Sequence, residues 1–289
     1  METRQKLVHL LHCQTLGWKN IYCYLKRDPL LEKLYTSSRS SLQQAFQLTS
    51  QALPQLISQL HDFPVQDLME QYEKQQISIV TILDESYPNP LKHIYQPPWG
   101  LFCIVNTSLL TSPKILAVIG ARAGDQYAQQ TINKLLPPLV KNEVVIVSGL
   151  AKGVDTMAHT CCIQNKGNTI AILGGGFSHI YPKENSLLAK AIANHHLLVS
   201  EYPPNVPPKK WHFPARNRII SGIAMGSLVI QAGKRSGSLI TAEMALNEGR
   251  DVFSVPGPIH HPLSKGTNWL IQQGAKLVQS SGDILEEIE

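Results

Sequence analysis

Basic side chains gather in five short stretches of this chain. "AVIGARAGDQYA" carries Arg122, and "VSGLAKGVDTMAH" carries Ser148, Gly149 and Lys152. "LGGGFSHIYPKEN" carries Tyr181 and Lys183, and "SEYPPNVPPKKWHFPARNR" carries Lys209, Lys210, Phe213, Arg216 and Arg218. "QAGKRSGSLITAEMA" carries Lys234, Arg235 and then Ser236-Gly237-Ser238. Each combination offers what a phosphate needs. Glycine lets backbone amides approach an anion, and a helix N-terminus adds partial positive charge. Arginine adds a planar fork that matches phosphate oxygens. Several such stretches suit a chain of phosphates better than a single one. "HFPARNRIISG" adds an aromatic ring to two guanidinium groups, and three uses compete for it: catalytic clamp, phosphate site or salt-bridged helix start. On a helix, residues two apart point in different directions. Arg216 and Arg218 are therefore expected to divide their work, one facing the anion and one bracing neighbouring loops, while Ile219-Ile220 packs on a sheet.

Other chemistries find less support. "GGGFSH" is not G-x-G-x-x-G, no strand-end acid is spaced for a ribose, and there is no G-x-x-x-x-G-K-[ST]. No nucleotide cofactor is expected. Asp155 and His159 stand at i, i+4, the spacing of an acid–base pair or half a metal site; the favoured reading is a helix-start carboxylate that pairs with the histidine and anchors the preceding loop. His195-His196 and His260-His261 lack the spacing of ligands on one helix. The serines form no G-x-S-x-G elbow. Glu243 and Glu248 read as helix surface. No metal, no catalytic constellation and no enzyme are expected.

The basic stretches need elements to hold them. From Lys114 onward, short apolar runs alternate with longer polar segments: "ILAVIG", "VVIVSG", "TIAILG", "HLLVSE", "SLVIQAG" and "DVFSVPG". Such runs read as strands buried on both faces, and the segments between them are long enough for crossover helices. An α/β, Rossmann-like, doubly wound and mostly parallel sheet is expected over residues 114–289. Ligands of such sheets sit beyond the carboxyl ends of the strands, where the basic stretches fall. Residues 1–75 read as a small all-helical domain, in which Leu7, Leu10 and Leu11 recur at helix spacing, as do Leu53, Leu56, Ile57 and Leu60. A packing or partner module is favoured there over a DNA-binding helix-turn-helix. Residues 76–113 read as a proline-rich connector with one short strand, "LFCIV".

The totals set bounds. The chain has 289 residues, 43% hydrophobic and 16% charged, with a net charge of +5, so it is a packed globular protein with a mild bias towards polyanions. Five cysteines without CxxC spacing suggest reduced, buried thiols. The N-terminus lacks a signal-peptide core and no apolar run is long enough to span a bilayer. A soluble, cytoplasmic protein without membrane insertion is expected.

Taken together, "AVIGAR", "SGLAKGVDTMAH", "TIAILGGG", "YPKEN", "SEYPP", "FPARNRIISG", "RSGSLITAEMALNEGRDVFSVPG" and "SKGTNWLIQQGA" resemble the DNA-processing protein A (DprA/Smf) family over about residues 80–282. The resemblance implies an extended Rossmann-like domain that binds single-stranded DNA and works as a homodimer. It also implies protection of incoming DNA during natural transformation and loading of the RecA recombinase onto strands covered by single-strand-binding protein. Residues 1–75 would be the family's sterile-alpha-motif-like domain. The winged helix of some members is expected to be absent after "SSGDILEEIE" or cut away from it. Carried over by motif, Arg122, Lys183 and Lys210 would meet phosphates and Phe213 a base. Met244, Ile271, Gln272, Gln273 and Leu277 would lie on partner surfaces, Ile271 and Leu277 for the dimer and the two glutamines for the recombinase. The chain departs from the family pattern at Ala121, Gly124-Asp125, Ala128, Ser178 and Gln231. The last loses a carboxylate, which puts a catalytic role there in doubt. Two alternatives stay open: a Rossmann-like nucleotide hydrolase, against which "VPGPIH" lacks the expected second glycine and glutamate, and a metal-dependent DNA nuclease.

Overall fold

The computed structural model describes residues 2–62 and 64–288. The six apolar runs become six parallel strands: β3 (Ile115–Ile119), β4 (Val145–Ser148), β5 (Thr169–Leu173), β6 (Leu197–Ser200), β7 (Gly226–Val229) and β8 (Asp251–Ser254). Helices alternate with them: α7 (Gln126–Lys141), α8 (Val154–Gln164), α9 (Ser186–His195), α10 (His212–Ile223), α11 (Gly237–Asn247), α12 (Lys265–Gln272) and α13 (Gly282–Ile288). Residues 76–113 depart from the connector reading. They hold two strands, β1 (Ile77–Thr81) and β2 (Gly100–Val105), with the short α6 (Asn89–Lys92) between them. Both strands join the main sheet: β2 pairs antiparallel with β6, and β1 with β2. The order is β1-β2-β6-β5-β4-β3-β7-β8-β9, where β9 is Lys276–Leu277. Of the prolines that suggested irregular chain, Pro88, Pro90, Pro97 and Pro98 sit in the link between β1 and β2 and Pro113 sits before β3, so none interrupts a ladder.

Successive strand residues point to opposite faces. Ile115, Ala117 and Ile119 meet Ile219, Ile220 and Ile223 of α10, Ala242 and Ala245 of α11 and Leu270 of α12. Leu116 and Val118 meet Leu135 and Leu139 of α7, Ala158 and Cys162 of α8 and Ile284 of α13. Every central strand is thus buried on both sides, as its unbroken apolar run requires.

Five helices precede the sheet: α1 (Thr3–His12), α2 (Trp18–Leu25), α3 (Arg39–Phe46), α4 (Leu53–Asp62) and α5 (Val65–Lys74). The first four share a core of Leu7, Leu10, Ile21, Leu34, Phe46 and Leu56, among others. Val8 of α1 and Val65 and Tyr72 of α5 also cover Ile77, Ile79 and Phe102 of the edge strands. The thiols are free, four of them buried and Cys23 half-buried; burial pushes Cys13 and Cys162 up to about 12. Among the described residues, no helix is long and apolar enough to cross a membrane.

Phe102 is fully buried, and its ring meets those of His12 and Tyr72 edge-on at 5.5 and 6.0 Å. Phe102→Ala is expected to cost about 3–5 kcal/mol, the usual loss for a buried phenyl group, measured as a lower urea midpoint with an unchanged slope.

Candidate nucleic-acid interface

The sheet reverses its direction of growth between β3 and β7: β3 leads to α7 on one face and β7 to α11 on the other. A crevice opens beyond the carboxyl ends of strands at such a point. Here it is a cleft of about 850 Å³, walled by Gly120, Ala121 and Arg122 after β3, by Gly233, Arg235, Ser236, Gly237 and Ser238 after β7, and by Lys210, Phe213 and Arg216 around the start of α10. A smaller recess of about 70 Å³ continues from it, lined by Arg122, Gly149, Lys152, Tyr181, Phe213 and Arg216.

Arg216 forms the floor. It is buried, and its guanidinium Nη1 donates to the Ile172 carbonyl of β5 at 2.7 Å. Asp155, also buried, accepts from the Gly149 and Ala151 amides at 3.1 and 3.3 Å and so holds the β4–α8 turn. Burial pushes the Asp155 carboxyl up, against the pull of Arg216 and those amides. Burial pushes Arg216 down to about 10, with Asp155 opposing and Arg122 assisting. Arg216 therefore remains a cation at neutral pH. Its Nε is buried with no hydrogen-bond partner among the described residues.

Two glycines make this packing possible. A Cβ on Gly149 would lie 1.8 Å from Arg216 Nη1, so only glycine lets the guanidinium rest on the turn. Gly153 has φ +74°, and a Cβ there would lie 2.4 Å from the Ala121 carbonyl, so it lets the first two strand-end loops touch.

The structure sorts the sequence candidates. Arg122, Gly149, Lys152, Lys210, Phe213, Arg216, Ser236, Gly237 and Ser238 all line the cleft or its recess. Exposed Lys152 bonds to Glu184 at 2.6 Å. Lys183 is exposed but borders neither cavity. Three candidates are corrected. Ser148 is fully buried and donates to the Val118 carbonyl, because the last residue of β4 still faces into the sheet. Arg218 is ion-paired with Glu201 at 2.5 Å, away from the cleft, and is the brace of the arginine pair. Lys234 lines a separate groove between α11 and α12, while its neighbour Arg235 borders both cavities. The Asp155–His159 reading is half corrected: Asp155 anchors the preceding loop, but His159 Nδ1 meets the Thr169 hydroxyl at 2.7 Å instead. Of the partner-surface candidates, Met244 and Ile271 are half-buried, while Gln272, Gln273 and Leu277 are exposed, and Gln273 lines the same groove as Lys234.

Two departures from the family pattern meet in space. Gln231 donates through Nε2 to Asp125 Oδ1 at 2.9 Å, and His261 lies 3.0 Å from the other Asp125 oxygen. A glutamate at 231 would place two carboxylates in contact. Burial pushes the Asp125 carboxyl up, but the Ala128 amide, Gln231 and His261 together bring it below its ordinary value. Reasoning from the sequence put no weight on this pairing, because the residues lie far apart along the chain.

A model of the family described as DNA recombination-mediator protein A matches residues 78–289. The chain belongs to this family. It is 48% identical over 217 residues to the DNA processing protein DprA of Bacillus subtilis, covering 75% of this chain and 73% of that one. It is 49% identical over 227 residues to the Streptococcus pneumoniae protein of that name, covering 78% and 80%. The crystal structure of DprA from Streptococcus pneumoniae superposes with a TM-score of 0.85 at 40% identity, covering 99% of this chain and 98% of that one. DprA from Helicobacter pylori, whose structure is described in terms of its single-stranded-DNA binding mode, superposes with a TM-score of 0.66 at 31% identity, covering 73% of this chain and 94% of that one. Family membership thus coincides with the expected α/β architecture and extends over both antiparallel edge strands.

Two outcomes test the geometry. Gly149→Ala is expected to displace the Arg216 guanidinium and cost about 1–3 kcal/mol, as overpacking does, seen as a lower urea midpoint. His159 is fully buried, and burial, with Arg216 and His196 nearby, depresses its pKa from 6.5 to about 3. Protonation therefore favours the unfolded chain: the stabilisation is complete above pH 6.5 and is lost as pH falls towards 3. Melting temperatures across that range should fall more steeply for the wild type than for His159→Gln.

Proposed function

We propose that the chain binds single-stranded DNA in this cleft and, as a homodimer in the cytoplasm, loads the RecA recombinase onto incoming strands covered by single-strand-binding protein during natural transformation. The observation that carries the binding reading is the joint placement of Arg122, Lys210 and Arg235 with the Phe213 ring around one strand-end cleft. Single strands expose bases as well as phosphates, and their binders combine cations with aromatic faces. In this reading Arg122 and Lys210 meet phosphates and Phe213 meets a base. The turn Ser236-Gly237-Ser238 presents the start of α11 to the backbone, and Lys152 and Lys183 extend the positive rim. Arg216 shapes the floor beneath Gly149. The description of the Helicobacter pylori relative supports the same ligand. The assembly half of the proposal rests on family membership, with Ile271 and Leu277 assigned to the dimer, Gln272 and Gln273 to the recombinase surface, and Met244 to the partner surfaces without a choice between the two.

The test is oligonucleotide binding with single- and double-stranded ligands across a salt series. Wild type should prefer the single strand, and its log affinity should fall with log salt by about 0.7 per phosphate neutralised. Arg122→Ala and Lys210→Glu should each lose at least about tenfold in affinity and show a shallower salt slope, while melting at the wild-type temperature. Wild-type affinity in Lys210→Glu at moderate salt would overturn the assignment of the cleft.

A further inference from the structure

Trp211 is 60% exposed and belongs to none of the apolar clusters of the described residues. The fold gives a large indole no burial here, yet it is not left loose. Its ring meets His212 edge-on at 4.1 Å and 86°, and Tyr202 at 6.4 Å and 81°. Those two rings stack on each other at 3.9 Å and 11°. His212 is buried and donates from Nδ1 to the Gly174 carbonyl at 2.9 Å. Gly174 also supports Phe213: a Cβ there would lie 2.9 Å from the Phe213 ring. Trp211 and Phe213 are therefore held from the same point, the carboxyl end of β5.

The surroundings of the indole are cationic. Lys209 Nζ stands 5.7 Å from its ring centroid, and Lys210 follows at the cleft wall. An exposed aromatic face beside an exposed ammonium suits a base with its attached phosphate. The base takes the ring face, and the ammonium moves aside to the phosphate.

The geometry points to Trp211 as a second base-stacking platform, which carries a single strand out of the Phe213 cleft and over the proline-rich 201–211 loop. This rests on the single-strand reading of the cleft and extends it by one aromatic contact that acts only on longer strands.

The test uses the full chain and fluorescence anisotropy with oligothymidylates from about 4 to about 16 nucleotides, the span of site sizes known for single-strand binders. Trp211→Leu and Trp211→Ala should lose about tenfold in affinity for the longer strands and nothing for the shortest, a loss within the range for one stacked base. Trp211→Phe should restore most of the affinity. Melting temperatures identify any variant that fails to fold, and Trp211→Phe and Trp211→Leu then decide the question. Wild-type affinity of Trp211→Leu at every length would overturn the platform while leaving the cleft in place. An equal loss at all lengths would also overturn it, because the indole would then be supporting the cleft. A wild type that binds no single strand would overturn the functional reading together with the platform.

Discussion

One buried cation organises the rim of this protein. The Arg216 guanidinium is tied to the carboxyl end of β5 through the Ile172 carbonyl and rests on the backbone of Gly149. It faces Asp155, which in turn holds the β4–α8 amides. A buried charge is costly unless it is paired and hydrogen-bonded. Few placements of the loops after β4 and β5 satisfy that condition. Phe213 lies one helical turn before Arg216 and shares its face of α10, so the placement of the guanidinium also orients the ring.

The position of the cleft follows from topology. β3 and β7 are neighbours in the sheet, yet their following helices leave towards opposite faces. The gap between them opens into the cleft, and the loops that border it carry Arg122, Lys210 and Arg235. Glycine keeps those loops thin. Gly153 sits against the Ala121 carbonyl, and Gly176 is so close to the Pro203 and Pro204 carbonyls that a side chain would collide with them. Close packing below and open backbone above make one surface that is rigid and accessible together.

The central sheet was legible in the sequence because strands buried on both faces must be apolar throughout, and six such runs stood out between polar segments. β1 was not legible. Its "ISIVT" places Ser78 on the exposed side, which breaks the apolar run, and it follows α5 after only the two-residue turn Gln75-Gln76, which has no glycine or proline to mark it. The basic, glycine-bearing motifs located the rim, but residue type alone did not say which side chains reach it. Ser148 ends β4 among buried neighbours, and its hydroxyl turns to the Val118 carbonyl instead of the cleft, an orientation that residue type does not give. Arg216 and Arg218 look alike in sequence; their acidic partners Asp155 and Glu201 tell them apart, and only the folded chain brings those together. Trp211 carried no signal, since nothing in a sequence separates a core indole from one facing solvent.

The two sides of the cleft come from segments remote along the chain: the loop after β3 forms one wall, and the start of α11, which follows β7, forms the other. β7 is synthesised after β4, β5 and β6, which lie on the other flank of β3. During synthesis, the chain therefore carries one complete wall for a long interval without its opposite. The cleft gains its second wall late, and a growing chain that ends before α11 has only one of the two.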